Sequence, residues 1–180
     1  PSSPYSSSKA SSDHLVRSWH RTYGIPVFIT NCSNNFGPFQ NKEKLIPMVI
    51  NNIINNESIP VYGDGKQIRD WIYVDDHIEG ILKVLEKGSI GETYNLGGNN
   101  EIRNIDLIIQ IIEIMNKLKN GSDEDLINIR KLITYVKDRP GHDTRYAINN
   151  KKAKSLGWRV KKSFHYNLEK TIKWYMNEGK

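Results

Sequence analysis

Two residues near the start of the chain have the types and spacing to move a proton. Tyr5 and Lys9 stand four apart, which on a helix places both side chains on one face, one turn from each other. A free phenol has a pKa near ~10, too high for a base at neutral pH. A neighbouring ammonium favours the phenolate and lowers that value. Tyr5 so placed could take a hydroxyl proton while hydride leaves the same carbon. The bare pair is common in helices, so its surroundings must decide what it means.

Further along lie groups suited to a phosphorylated ligand. Arg69 and Arg139 each offer a rigid fork of donors that matches phosphate oxygens. Arg139 belongs to the loop Asp138-Arg139-Pro140-Gly141-His142, which can present side-chain and backbone donors to an anion together. The paired amides Asn34 and Asn35 follow a strand, and open α/β sheets bind ligands beyond the carboxyl ends of their strands. Plainer roles are open to several of these residues. Asn104 is equally suited to cap a helix, Asn34 and Asn35 to form a turn, and Arg69 to pair with Asp70 at the surface. Trp71, Trp158 and Trp174 read as packing residues. Cys32 reads as a small buried side chain, with no charged activator evident.

These groups must be held by regular elements. Residues 6–23 read as a helix, with Ala10, His14, Leu15, Ser18 and Trp19 at helical spacing and Gly24 as its stop. A buried strand is predicted over residues 25–30, then a loop over 31–44. Residues 45–55 form a second helix by the periodicity of Ile46, Val49, Ile50, Ile53 and Ile54, with Pro47 in its first turn. A strand over 59–62 ends in Gly63-Asp64-Gly65, and 68–74 is extended. Asp75 is expected to cap a helix buried along Ile78, Ile81, Leu82 and Leu85 and stopped at Gly88. After a strand over 93–96, Asn104 is expected to cap a helix buried along Ile105, Ile108, Ile111, Ile112 and Met115. Residues 120–125 read as exposed loop, 133–136 as strand, 138–142 as loop, and 149–156 and 164–176 as helices. Strands alternating with helices predict an α/β fold.

The Pro4-Tyr5-Ser6-Ser7-Ser8-Lys9 segment and its continuation to Arg17 resemble the extended short-chain dehydrogenase/reductases, and within them the dTDP-glucose 4,6-dehydratases. Further matches follow in order: Thr30-Asn31-Cys32-Ser33-Asn34-Asn35-Phe36-Gly37-Pro38, Glu43-Lys44-Leu45-Ile46-Pro47, and Pro60-Val61-Tyr62-Gly63. Then come Arg69-Asp70-Trp71, Tyr73-Val74-Asp75-Asp76-His77, Tyr94-Asn95-Leu96-Gly97-Gly98, and residues 138–143. The resemblance covers nearly the whole chain.

It implies a role for each matching residue. Tyr5 would deprotonate the sugar 4-hydroxyl, and Lys9 would hold the ribose of NAD and depress the Tyr5 pKa. Asn35 would touch the nicotinamide end. Asn34, Lys44 and Leu45 would contact the sugar nucleotide, and Pro60, Val61 and Tyr62 would line the nucleoside pocket. Arg69 and the loop of Asp138, Arg139, Pro140, Gly141 and His142 would bind pyrophosphate and ribose, with Asn104 near the nucleotide. The implied fold is the C-terminal part of a Rossmann-type NAD-binding fold with a smaller α/β substrate lobe. Residues 1–41 would be the last core elements and 42–180 mainly the lobe, with 64–98 returning to the core. The implied activity is an NAD-dependent lyase acting on dTDP-glucose as a cytoplasmic homodimer. Epimerases, decarboxylases and UDP-glucose dehydratases of the same superfamily, or a non-catalytic nucleotide-sugar-binding module, are the alternatives.

Two of the family's parts do not appear. No strand–Gly-x-x-Gly-x-x-Gly–helix unit is present, since Gly88-Ser89-Ile90-Gly91 follows a helix. No Asp-Glu pair, which handles loss of water in such enzymes, precedes Tyr5. The opening Pro1-Ser2-Ser3-Pro4 reads as an internal cut in a longer chain, so this polypeptide alone is expected to bind NAD poorly and not to turn over.

Bulk properties agree with a globular protein. The chain has 180 residues, 37% hydrophobic and 26% charged, within the range of folded domains. One cysteine excludes an internal disulfide framework. No apolar run reaches membrane-spanning length, no secretory pattern opens the sequence, and no membrane partner is expected. The net charge of +6 reads as a solvated lysine-rich surface or as attraction to an anionic ligand. The basic residues are scattered without a zinc-finger or RNA-binding pattern, so no nucleic-acid partner is expected, and no metal ligand set is proposed.

Overall fold

A computed structural model describes residues 3–178; Pro1 and Ser2, part of the predicted lead-in, lie outside the described residues. Helix α1 (Pro4–Tyr23) starts two residues earlier than predicted. The Ser3 hydroxyl accepts from the Ser6 N–H and Ser6 reciprocates on the Ser3 N–H, a reciprocal cap with Pro4 in the first turn. Gly24 ends the helix at φ 68° and donates to the His20 carbonyl, as predicted.

Strand β1 (Ile29–Cys32) begins four residues later than predicted. The reason is its partner. Strand β5 (Thr93–Leu96) runs parallel to it and starts opposite Ile29, so residues 25–28 have no ladder to join. The predicted loop over 31–44 contains a short strand, β2 (Asn34–Phe36), because β4 (Ile68–Tyr73) lies parallel beside it. Two more short strands flank β4: β6 (Glu101–Arg103), antiparallel, and β8 (Arg145–Tyr146), parallel. Separately, β3 (Ile59–Tyr62) pairs in parallel with β7 (Ile133–Val136). Parallel pairs joined by helical crossovers make this an α/β fold.

Helix α2 (Leu45–Asn55) has the predicted bounds and buries Ile46, Val49, Ile50 and Ile53; Ile54, assigned to the same stripe, is exposed. Helix α4 (Asn104–Leu118) buries Ile108, Ile111, Ile112 and Met115. Its N-cap is Arg103, not Asn104, because Asn104 is already helical and sends its N–H to the Gln67 carbonyl at 3.0 Å. The predicted loop over 120–125 instead opens helix α5 (Asp123–Arg130), with a reciprocal cap between Ser122 and Asp125. Helix α6 (Lys151–Ser155) and helix α7 (Phe164–Glu178) complete the chain.

Helix α3 (Val74–Lys87) departs most from its predicted packing. Its N-cap is Tyr73, and Asp75 and Asp76 fall in the first turn, where carboxylates favour the helix dipole. Its buried face is Asp76, Gly80 and Val84. Ile78, Leu82 and Leu85, predicted to be buried, are 50%, 59% and 58% exposed. Gly80 explains the orientation. A Cβ there would come within 2.8 Å of Leu96 Cδ2 and 3.2 Å of Trp158 Nε1, so the helix docks through the one position that lacks a side chain. Of the predicted stripe only Ile81 packs inward, against the cluster of Leu96 and Trp158, and the other three are turned away.

Strand β4 separates two cores. Trp71 and Tyr73 face the larger one, built mainly from α2, α4 and α7, while Ile72 faces a smaller one with Leu96, Ala153 and Trp158. The period-two alternation of a strand puts adjacent residues on opposite sides. The residues at the start of β4 therefore sit at the seam between two packed layers.

Candidate functional site

Tyr5 and Lys9 do share a face. The Lys9 ammonium lies 5.7 Å from the centre of the Tyr5 ring, and Tyr5 is 72% exposed. Helix α1 is tied to β5 by Arg17, whose guanidinium donates to the Thr93 hydroxyl at 2.8 Å. The phenol is thus presented to solvent on a helix anchored to the β1–β5 pair. None of the helix's residues is buried.

A second group forms where the chain leaves β1. Asn35 is locked at both ends of its amide. Its Nδ2 donates to Cys32 Sγ and to the Ser33 carbonyl, each at 3.2 Å. Its Oδ1 lies 2.8 Å from Nδ1 of His77, on α3. The amide oxygen can only accept, so His77 Nδ1 is the donor. Burial holds the His77 pKa below its ordinary value, which keeps the ring neutral. Asn34 sits beside it on β2, paired with Trp71.

The third group is the most convergent. Arg69 leaves β4 and Arg139 leaves the loop after β7, and both guanidiniums reach Nε2 of His142, at 2.9 and 3.0 Å. Arg69 also donates to the Asp143 and Ile68 carbonyls, each at 2.8 Å. The Arg139 guanidinium lies 5.0 Å from the centre of the Tyr62 ring. Gly141 permits the tight turn with φ 67°, and the His142 N–H closes it on the Arg139 carbonyl. Burial pulls the Arg69 pKa down, and the Arg139 charge pulls the same way, against Asp143 and Asp138. Two cations sharing one uncharged acceptor form a site that an anion would complete.

Asp138 is bonded both within this group and to Gln67. Its Oδ1 accepts from His142 Nδ1 at 2.7 Å and from the Arg139 N–H at 2.8 Å, and its Oδ2 accepts from Gln67 Nε2 at 2.8 Å. Desolvation pushes its carboxyl up, but the bonds from His142, Arg139 and Gln67 outweigh that and hold it below the ordinary value.

The structure therefore brings Tyr62, Arg69, Asp138, Arg139 and His142 together. Pro140 and Gly141 shape the turn, and Asn104 is one hydrogen bond away through the Gln67 carbonyl. The Asn104 Oδ1 is buried without a hydrogen-bond partner, which suits a residue beside a ligand. Pro60 is half-buried, and the Val61 side chain turns into the core at 2% exposure. Lys44 is the exposed N-cap of α2, and Leu45 packs against the larger core. Among the described residues no hydrogen bond joins Tyr5 or Lys9 to the Arg69 group. A groove of about 460 Å³ between α3 and residues 157–161, lined by Glu79, Leu82 and Trp158 among others, contains none of these residues. We assign it no part in the chemistry.

Two residues were missed in the sequence. Gln67 stands just before β4, in the turn after Gly65, and no local signal marked it. His77 carried no signal beyond its place in the Tyr-Val-Asp-Asp-His run.

Comparison with known proteins shows the family. The profile of the family described as GDP-mannose 4,6 dehydratase matches residues 1–171. A dTDP-glucose 4,6-dehydratase of Escherichia coli is 54% identical over 178 residues, covering 98% of this chain and 49% of the relative. The crystal structure of dTDP-glucose 4,6-dehydratase from Bacillus anthracis in complex with NAD superposes with a TM-score of 0.86 at 45% identity, covering 99% of this chain and 54% of that one. A UDP-glucuronic acid 4-epimerase from Bacillus cereus, in complex with UDP-glucuronic acid and NAD, gives 0.84 at 27% identity, covering 99% of this chain and 54% of that one. The chain spans about half the length of the curated relatives it matches. Among the described residues no helix is long and apolar enough to cross a membrane.

Proposed function

The chain belongs to the GDP-mannose 4,6 dehydratase family, and on that premise we propose that it is the C-terminal part of an NAD-dependent dTDP-glucose 4,6-dehydratase. The observation that carries the reading is the convergence of Arg69 and Arg139 on one neutral nitrogen of His142. Such a pair of forks suits the diphosphate of a nucleotide sugar. Among solved structures, identity of 45% to a dTDP-glucose 4,6-dehydratase, against 27% to a UDP-sugar epimerase, supports this reaction and nucleotide.

In this reading Tyr5 takes the proton from the sugar 4-hydroxyl, assisted by the ammonium of Lys9 on the same helix face. The chemistry supplied by bound NAD is reversible hydride acceptance, from sugar C4 and back to C6 after water has left across C5 and C6. The residues present fit part of the NAD site. Tyr5 and Lys9 face solvent together, and the Asn35 amide is locked in place by His77. Tyr62, Asn104 and the Pro60–Val61 backbone border the nucleoside, with Asn34, Lys44 and Leu45 toward the sugar. The glycine-rich turn and the Asp-Glu pair are not carried by this chain, so the activity belongs to the whole protein.

The domain division at residues 41 and 42, with 64–98 returning to the core, is part of the same proposal. So are a homodimer and a cytoplasmic location. Leu15, Trp19 and Tyr23 on α1 leave apolar area for a second copy to cover, being 61%, 52% and 67% exposed.

The test is product analysis. The full-length protein, given dTDP-glucose and NAD, should release a sugar nucleotide one water lighter with no net consumption of NAD. A product of unchanged mass would make it an epimerase instead.

A further inference from the structure

Gln67 is buried, at 7% exposure, and spends both amide hydrogens inside the protein. One goes to the Tyr62 carbonyl at 3.2 Å and the other to Asp138 Oδ2 at 2.8 Å. It therefore ties the end of β3 to the loop that follows β7. Space there is tight. A Cβ on Gly63, whose φ is 60°, would lie 3.0 Å from Asp138 Oδ2 and 3.2 Å from Gln67 Nε2. The Gln67 backbone is held as well, since its carbonyl accepts from the Asn104 N–H at 3.0 Å.

The consequence passes along a chain of hydrogen bonds whose direction is forced. A guanidinium has donors and no acceptor, so His142 Nε2 must accept from Arg69 and Arg139 and carry no proton. Nδ1 then bears the proton and donates it to Asp138 Oδ1 at 2.7 Å. With the opposite tautomer, Nε2–H would point at two donors, and Nδ1 would face a carboxylate lone pair. Asp138 favours the same tautomer from the other side of the ring, and Gln67, together with the Arg139 N–H, sets the angle of the Asp138 carboxylate.

We propose that Gln67 is a positioning residue which, through Asp138, fixes His142 as the Nδ1–H tautomer and so keeps Arg69 and Arg139 aimed at a diphosphate. The inference rests on the reading of that group as the diphosphate site. It assigns Asp138 an inward role, orienting His142, in place of direct contact with the ligand. The neutral Nε2 holds the two cations at one point until phosphate oxygens take over their donors.

The experiment uses the full-length protein. In the ligand-free wild type, ¹⁵N resonances of His142 should show Nδ1 protonated and Nε2 bare at neutral pH. In Asp138→Asn the amide can turn an N–H toward Nδ1, so the ring should lose its single tautomer and the two guanidiniums their shared acceptor. Gln67→Met keeps the volume and removes both donors. Binding of inorganic pyrophosphate and of thymidine diphosphate, measured by calorimetry, should weaken about fivefold in it, the equivalent of one lost hydrogen bond. KM for dTDP-glucose should rise more than kcat falls. A wild-type ring protonated at Nε2, or a Gln67→Met protein that binds both probes like the wild type, overturns the relay alone. A wild type that binds neither probe sinks the diphosphate reading itself. Should Gln67→Met fail to fold, the tautomer in the wild type and in Asp138→Asn decides.

Discussion

Replacing Arg69 tests the proposed site most directly. The guanidinium reaches three acceptors within 2.9 Å: His142 Nε2 and the carbonyls of Asp143 and Ile68. Its fork is held by the protein before any ligand arrives, so little order is lost when phosphate oxygens replace His142 Nε2. Removing one partner of a partly desolvated charge pair costs about 2–5 kcal/mol of binding. For Arg69→Met, the lower part of that range applies, because Arg139 remains at the same point. A loss of about 2–3 kcal/mol corresponds to roughly 30- to 150-fold in dissociation constant. Arg69→Lys keeps the charge and loses the fork, so we expect about 1 kcal/mol, or roughly fivefold. The assay is calorimetric titration of the full-length protein with thymidine diphosphate, repeated at two salt concentrations. Both variants should be folded by circular dichroism before titration. An Arg69→Met protein that binds within twofold of the wild type would falsify the assignment. So would a Lys variant weaker than the Met variant.

Two further outcomes follow from the same structure. Tyr5→Phe in the full-length enzyme should lower kcat by about 10²–10⁴, the usual contribution of a positioned acid–base group, while thymidine diphosphate binding stays unchanged; full turnover in that variant rules out the phenol as the base. Asp76 is buried at 4% exposure with Oδ2 unpartnered, and desolvation raises its pKa above 3.8. The folded state therefore binds its proton more tightly than the unfolded state. The stability this contributes is present below 3.8 and is lost as pH rises through the raised value. Asp76→Asn should melt higher than the wild type at neutral pH, with the gap closing as pH falls toward 3.8; a lower melting temperature at neutral pH contradicts the account.

Local order was legible wherever one segment carried its own signal. The Ile46–Ile53 periodicity located α2, and Gly24 located the end of α1. The Ser122–Asp125 cap was equally readable but is short and polar, so it passed as a loop. Strands were legible only where they were apolar. Asn34–Phe36 and Glu101–Arg103 are strands because β4 lies beside them, and a ladder needs a partner that no local pattern announces.

The site divides in the same way. Spacing alone offered Tyr5 and Lys9 only as a common pair, and the family resemblance of the surrounding segments is what singled them out together with Arg69 and the loop at 138–142. Which face of α3 is buried depended on Gly80 meeting Leu96 and Trp158, and the aliphatic stripe lost to it. The hydrogen bond between Gln67 and Asp138 likewise arises from residues separated by 71 positions meeting beside β4. Sequence determines which groups are available and which helical face they share. Direction of hydrogen bonds, tautomer and burial are set by neighbours that only folding brings within 3 Å.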